Sequence, residues 1–228
     1  MKRKSTLGIA VMSVLFFTAC KKEASINIDQ NRIYSAYEVE YNQANNQTTT
    51  SAIFRIDHAS GKKIELTYPA RVGFNGESLS WHNMAGSYTG SRSGNNLHGS
   101  FTYFDVDQNS FVNASANVNS IDVPYGLNTI SKNGNFFLPW TGSVLQSGET
   151  VKVIISGGSQ SGSKTFNATA IGSSYIVLDQ NNLNSLVAGT ANIQIERTKT
   201  IGLQQSNLSG GRILCTYKGR KVNINISS

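Results

Sequence analysis

Apolar and polar residues alternate with a period of two along most of the chain after residue 32, the pattern of strands that bury one face and wet the other. In segment 33–41, Ile33, Tyr37, Val39 and Tyr41 share one face while Glu38 and Glu40 take the other. The same alternation runs through Ile64, Leu66 and Tyr68 in 62–68, Val151, Val153 and Ile155 in 149–156, and Val222, Ile224 and Ile226 in 221–226. Further strands are expected at 52–57, 71–74, 78–82, 86–89, 100–106, 111–118, 136–142, 164–170, 175–179, 191–198 and 212–218, set apart by Gly, Asn, Ser and Pro turn signals. Segment 42–51, rich in Asn, Gln and Thr, reads as a solvated hairpin loop, and 90–99 as a Gly, Ser and Asn loop. Leu183, Leu186 and Val187 stand at helical spacing in 180–187, and Gly189 stops that single short helix.

Roughly seven strands per hundred residues, with a turn every 8 to 12 or so, is the spacing of an immunoglobulin-like sandwich. The pattern loosens over 119–135, around Pro124, Gly126 and Gly134, and the domain boundary is placed there. The fold class is therefore all-β: an N-terminal β-sandwich at 32–123 and a C-terminal immunoglobulin-like β-sandwich at 124–228, two modules in tandem. Exposed edge strands at 33–41 or 221–226 would suit strand addition by a partner, because addition needs an unpaired edge.

The first 19 residues follow different rules. Lys2, Arg3 and Lys4 precede an apolar stretch from Leu7 to Phe17, too short for a stop-transfer helix, so 1–19 reads as a secretory signal peptide. Phe17-Thr18-Ala19-Cys20 resembles the lipobox of bacterial lipoproteins. That resemblance implies that Cys20 is acylated and becomes the first residue of the mature chain. A thioether-linked diacylglycerol with an N-acyl chain exceeds the two-signal threshold for stable anchoring. Residues 20–31 read as a lipidated tether, whose ten or so residues reach at most about 35 Å. Leu138-Pro139-Trp140-Thr141-Gly142, Gly148-Glu149-Thr150-Val151, the turn from Leu183 to Gly189 and Gly210-Gly211-Arg212-Ile213 are similar to immunoglobulin-like modules of uncharacterised Bacteroidota surface lipoproteins. This implies an outer-membrane address and leaves the surface-exposed and periplasmic faces both open.

Composition narrows the partners. The 228 residues are 39% hydrophobic and only 14% charged, enough for a core and too little charge for a coiled coil or disordered tail. The formal charge of +7 shrinks once Lys2, Arg3 and Lys4 leave with the signal peptide, since 17 basic residues then face 13 acidic ones, about +4. With no basic cluster longer than Lys21-Lys22, nucleic acid is not an expected partner. With Cys20 committed to lipid, Cys215 has no disulfide partner, and its alternation with Ile213 and Tyr217 makes it a small core hydrophobe.

Candidate chemistry is sparse. His58, His82 and His98 lack the local spacing of a zinc site, and no G-x-S-x-G elbow marks a nucleophile. Asp105-Val106-Asp107-Gln108-Asn109 begins like a calcium loop, but Ser110 and Ala116 stand where Gly and a bidentate Glu belong, so a plain hairpin is expected. No pair of carboxylates is singled out for glycosidase chemistry. Neither catalytic residues nor metal nor cofactor are expected. Aromatics concentrate at Trp81-His82 with Tyr88 and at 136–140; Trp140 reads as core, and Trp81, His82 and Tyr88 as possible ligand contacts. The expected role is a non-catalytic, membrane-anchored binding module for a protein or glycan. A structural component of an envelope assembly or pilus-like polymer is second, and a hydrolase with an unrecognised site third.

Overall fold

Most of the alternating segments become strands and the fold is all-β, but 62–68 is strand only over Lys63–Glu65 and leaves Tyr68 exposed in a turn. The computed structural model describes residues 23–157 and 162–228; the expected signal peptide 1–19 and lipidation site Cys20 lie outside the described residues. The first half carries β1 (Glu23–Ala24), β2 (Ile33–Asn42), β3 (Gln47–Ile56), β4 (Lys63–Glu65), β5 (Arg71–Phe74), β6 (Glu77–Ser78), β7 (Ser80–His82), β8 (Ser87–Ser93), β9 (Ser100–Phe104), β10 (Ser110–Ala114) and β11 (Ile121–Asp122). The second carries β12 (Thr129–Ser131), β13 (Phe136–Pro139), β14 (Thr141–Gly142), β15 (Glu149–Gly157), β16 (Ser163–Ala168), β17 (Tyr175–Leu178), α1 (Gln180–Asn184), β18 (Gly189–Gly202) and β19 (Gly211–Ser227).

Two β-sandwiches stand in tandem. In the first, β2 and β3 turn Tyr37 and Phe54 onto the sheet β10-β9-β5-β6. Tyr37 stacks on Phe101 at 4.6 Å between ring centroids, and Phe54 lies 4.6 Å from Tyr103. Each such pair adds about 0.5–1.5 kcal/mol beyond the area it buries. In the second, Val151, Val153 and Ile155 of β15 and Ile193 and Ile195 of β18 are enclosed, as are Leu138, Ile176 and Leu178 of the β13–β17 ribbon and Leu183 of α1.

No break in pairing marks the boundary expected at 123/124: β11, just before it, already pairs with β14 of the second half. One 11-stranded sheet runs β1-β4-β3-β2-β19-β18-β15-β16, with β8 and then β7 branching from β3 and β12 beside β19, and it enters the second half through a parallel pairing of β2 with β19. The buried residues of both halves form one contiguous cluster. Segment 119–135 itself contributes Ile121, Val123 and Ile130 to that core. Consequently β2 is paired on both sides, by β3 and β19, and offers no open edge for strand addition at 33–41. The 221–226 stretch pairs with β18, and the backbone amide of Arg220 just before it donates to Asp122 of β11.

Four other expectations change. The supposed loop 42–51 is mostly strand, because Thr48 and Thr50 point inward and the Thr48 hydroxyl donates to the Gly94 carbonyl at 2.7 Å. The 90–99 loop is strand as far as Ser93. The tether 20–31 is folded from Glu23 onward: β1 pairs with β4, and Ser25 is fully buried. Finally, 212–218 and 221–226 belong to one strand, β19, whose register against β18 shifts in a bulge at Gly219 and Arg220. A Cβ on Gly219 would stand 2.6 Å from the Ile121 carbonyl oxygen, so this glycine serves a close approach rather than a turn. Gly219→Ala is expected to push β11 aside and cost about 1–3 kcal/mol, a fall in Tm of a few degrees; a melt unchanged from the parent would refute it.

The tyrosines of the first sandwich predict an alkaline limit. Burial raises the Tyr37, Tyr88 and Tyr103 hydroxyls above their usual range, Tyr88 to about 12. An unfolded tyrosine loses its proton near pH 10, so above that the unfolded state releases protons first. The stabilisation is complete below about pH 10 and is lost as pH rises through the folded values. Denaturant midpoints should hold steady from about pH 7 to 9 and then fall, in step with the tyrosinate absorbance of the unfolded protein.

Candidate functional site

The β7–β8 hairpin brings Trp81, His82 and Tyr88 together. Trp81 and Tyr88 are direct cross-strand partners with rings 5.1 Å apart. Alternation turns Tyr88 inward, where it meets Phe54 edge-on at 5.9 Å and its hydroxyl accepts from the Leu66 amide at 2.6 Å. Trp81 is half-buried, and its indole N–H donates to Asn83 Oδ1 at 2.7 Å. His82 is exposed at the turn, its Nδ1 accepting from the Ala85 amide at 3.2 Å. The hairpin thus offers solvent one indole edge and an imidazole, while the tyrosine is spent on packing.

The other residues weighed from the sequence find structural duties. Asp105 is enclosed: its Oδ1 accepts from the amides of Asp107 and Asn109 at 2.9 and 2.8 Å, and its Oδ2 from Asn109 Nδ2 at 2.9 Å. Those bonds make the tight β9–β10 turn and use the carboxylate that a cation would need. Among the described residues no group of three or more His, Cys, Asp and Glu is placed to hold a metal ion. His58 Nδ1 lies 3.0 Å from the Ser60 hydroxyl in an exposed turn. Cys215 is fully buried, accepts from the Ala116 amide at 3.2 Å, and has its thiol pushed up by burial. Trp140 is buried, with its indole N–H on the Ser143 carbonyl at 3.0 Å.

On the outer face of β2, β3 and β8 an open groove is lined by Glu38, Glu40, Thr49, Ser51, Thr89 and Ser91. Partial burial, and then the neighbouring Glu40, push the Glu38 carboxyl up. Lys218 meets Glu40 at 2.8 Å and reaches Glu196 at 3.9 Å, and Lys152 pairs with the far side of Glu196. Glu40, Lys218, Glu196 and Lys152 therefore form a ladder of alternating charges across β2, β19, β18 and β15.

Sequence reasoning missed the outer face of the β13–β17 ribbon. Phe137, Tyr175 and Val177 are exposed there, with Phe137 opposite Val177 in register and the Phe137 and Tyr175 rings 5.8 Å apart. Their neighbours Leu138, Ile176 and Leu178 point into the core. The signal was present in the runs Phe136-Phe137-Leu138-Pro139 and Tyr175-Ile176-Val177-Leu178, which are apolar at both parities. A strand that is apolar on both faces is either buried twice or presents one face to a partner.

No family model matches the chain, and no curated protein matches its sequence. Among solved structures it aligns with the two tandem V-type regions of a v-region-containing chitin binding protein, at 7% identity over 82% of this chain and 99% of that one. The TM-score is 0.21, so the two backbones superpose poorly.

Proposed function

We propose that the protein is a cell-envelope lipoprotein, held at the outer membrane by lipid on Cys20, that binds a protein or glycan partner without making or breaking a covalent bond. The observation that supports binding is the Phe137, Tyr175 and Val177 face, three apolar side chains held rigidly by a paired ribbon whose other face is core. Aromatic groups anchored this way bind with little further loss of freedom, on the face of a sugar ring or in a protein pocket. Anchoring is supported by the Phe17-Thr18-Ala19-Cys20 segment behind its basic and apolar leader. Among the described residues no helix is long and apolar enough to cross a membrane.

Fractionation tests the anchor: Cys20→Ser should leave the membrane pellet for the wash, and a variant that stays through repeated washing would overturn it. A glycan array and binding to intact cells test the surface. Phe137→Ser with Tyr175→Ser should weaken whatever binding the parent shows by about tenfold or more, with the thermal melt held. Unchanged binding would remove the ribbon from the interface.

A further inference from the structure

Three side chains at one edge of the first sandwich are apolar and largely bare: Ile26 is 60% exposed, Tyr68 91% and Met84 94%. They lie on three separate segments, all tied by hydrogen bonds to β4 or its continuation. β1 pairs in parallel with β4, and just beyond, the Ser25 hydroxyl accepts from the Thr67 amide at 2.8 Å, which sets Ile26 beside the turn bearing Tyr68. Lys63 of β4 donates to the Ala85 carbonyl and so holds the tip of the β7–β8 hairpin, with Met84, against the same strand. The bond from the Leu66 amide to the Tyr88 hydroxyl closes the hairpin onto that edge. Single exposed apolar residues are ordinary, but three on segments bonded to one strand and its continuation, where the chain enters the fold, can meet one apolar surface.

We propose that this edge is a lipid-contacting surface, with Ile26, Tyr68 and Met84 seated in the interfacial layer of the membrane that carries the anchor. The inference rests on the lipid-anchored reading above. Cys20 stands three residues before Glu23, and Glu23 is fixed to the sheet by its pairing with Ile64 and its ion pair with Lys62. Three residues span at most about 10 Å, so lipid on Cys20 brings this edge to the headgroup layer whatever path those residues take. Tyrosine suits that layer, with an apolar ring and a hydroxyl for the wet side, and methionine adapts to an irregular apolar surface. Lys62 pairs with Glu23, and Lys63 is offset by Glu65 in β4, so the contact is apolar and should persist at high salt.

The test uses full-length lipidated protein, purified from membranes and reconstituted into phosphatidylethanolamine and phosphatidylglycerol vesicles. Nitroxide labels are placed singly at Tyr68→Cys and Met84→Cys, with Ile171→Cys, exposed in the second sandwich, as control. The enclosure of Cys215 keeps background labelling low. The expected result is that labels at 68 and 84 show a several-fold higher ratio of collisions with oxygen to collisions with a water-soluble nickel complex than the label at 171, in low and high salt alike. If the protein floats with the vesicles but all three labels report water, the docking surface is overturned and the anchor stands. If the mature N-terminus carries no lipid by mass spectrometry and the protein does not float, the anchor reading falls and this proposal with it.

Discussion

Arg197→Ala is expected to lower stability by about 3–5 kcal/mol, among the largest effects of any single substitution in the chain. Arg197 sits on β18 with no solvent exposure. Its Nη1 lies 3.6 Å from Glu149 Oε2 and donates to the Ser143 hydroxyl at 2.6 Å, and its Nη2 donates to the Ser143 carbonyl. The Glu149 carboxylate also accepts from the Gln146 amide at 3.0 Å, and the Ser143 carbonyl receives the Trp140 indole as well. Burial lowers the guanidinium pKa while Glu149 opposes that shift, but an arginine remains charged at neutral pH. Removing the cation would leave a carboxylate enclosed without its counter-ion, which is why the loss exceeds that of an ordinary cavity. Replacing both partners by apolar residues of similar volume, Arg197→Met with Glu149→Leu, should recover most of it. Denaturant midpoints of the two singles and the double decide the matter. Single-variant losses below about 1 kcal/mol, the range of an exposed pair, would show that the site takes up water.

The second large effect concerns the halves of the chain. A fragment of residues 23–123 is expected not to fold, and the full chain to unfold in one cooperative transition. The first sandwich receives β19 as the parallel neighbour of β2 over residues 211–218, and with it the buried side chains of Ile213, Cys215 and Tyr217. The loop between β18 and β19 also caps the free edge of β10. The Gln205 side chain accepts from the Val112 amide at 2.7 Å, and the Gln205 backbone exchanges bonds of 2.9 Å with the Asn113 side chain. Without these, β2 and β10 would be open edges over an uncovered core. Trp81 reports on the first sandwich and Trp140 on the second, so Trp81→Phe and Trp140→Phe variants should give coincident fluorescence midpoints. Separated midpoints, or a dispersed amide spectrum from the fragment, would show independent modules.

Individual elements show how far local pattern reached. The 33–41 and 149–156 strands were legible because their buried residues recur at every second position, a property of each segment alone. The β9–β10 turn was legible because Asp105 makes its own local bonds. Arg197 was not singled out, because nothing in its local pattern says that Glu149, far along the chain, will lie beside it. The candidate site divided the same way. Trp81, His82 and Tyr88 are close in sequence and could be grouped, but which of them faces solvent depended on the position of Leu66. The pairing of Phe137 with Val177 depended on two strands meeting across a long intervening segment.

The sequence by itself determined most of the strand content, the presence of a short helix after Asp179, which ends at Asn184 and not at 187, and the enclosed character of Cys215, because period, turn chemistry and residue type act over a few neighbours. Only the tertiary structure decided that β2 and β19 join two sandwiches into one sheet, that Gly219 serves a close contact, that the presumed tether is part of the fold, and which apolar faces stay uncovered. Those outcomes depend on pairing between distant segments, and a strand's hydrogen-bonding edge is the same whatever its side chains, so alternation reveals its faces and is silent about its neighbours.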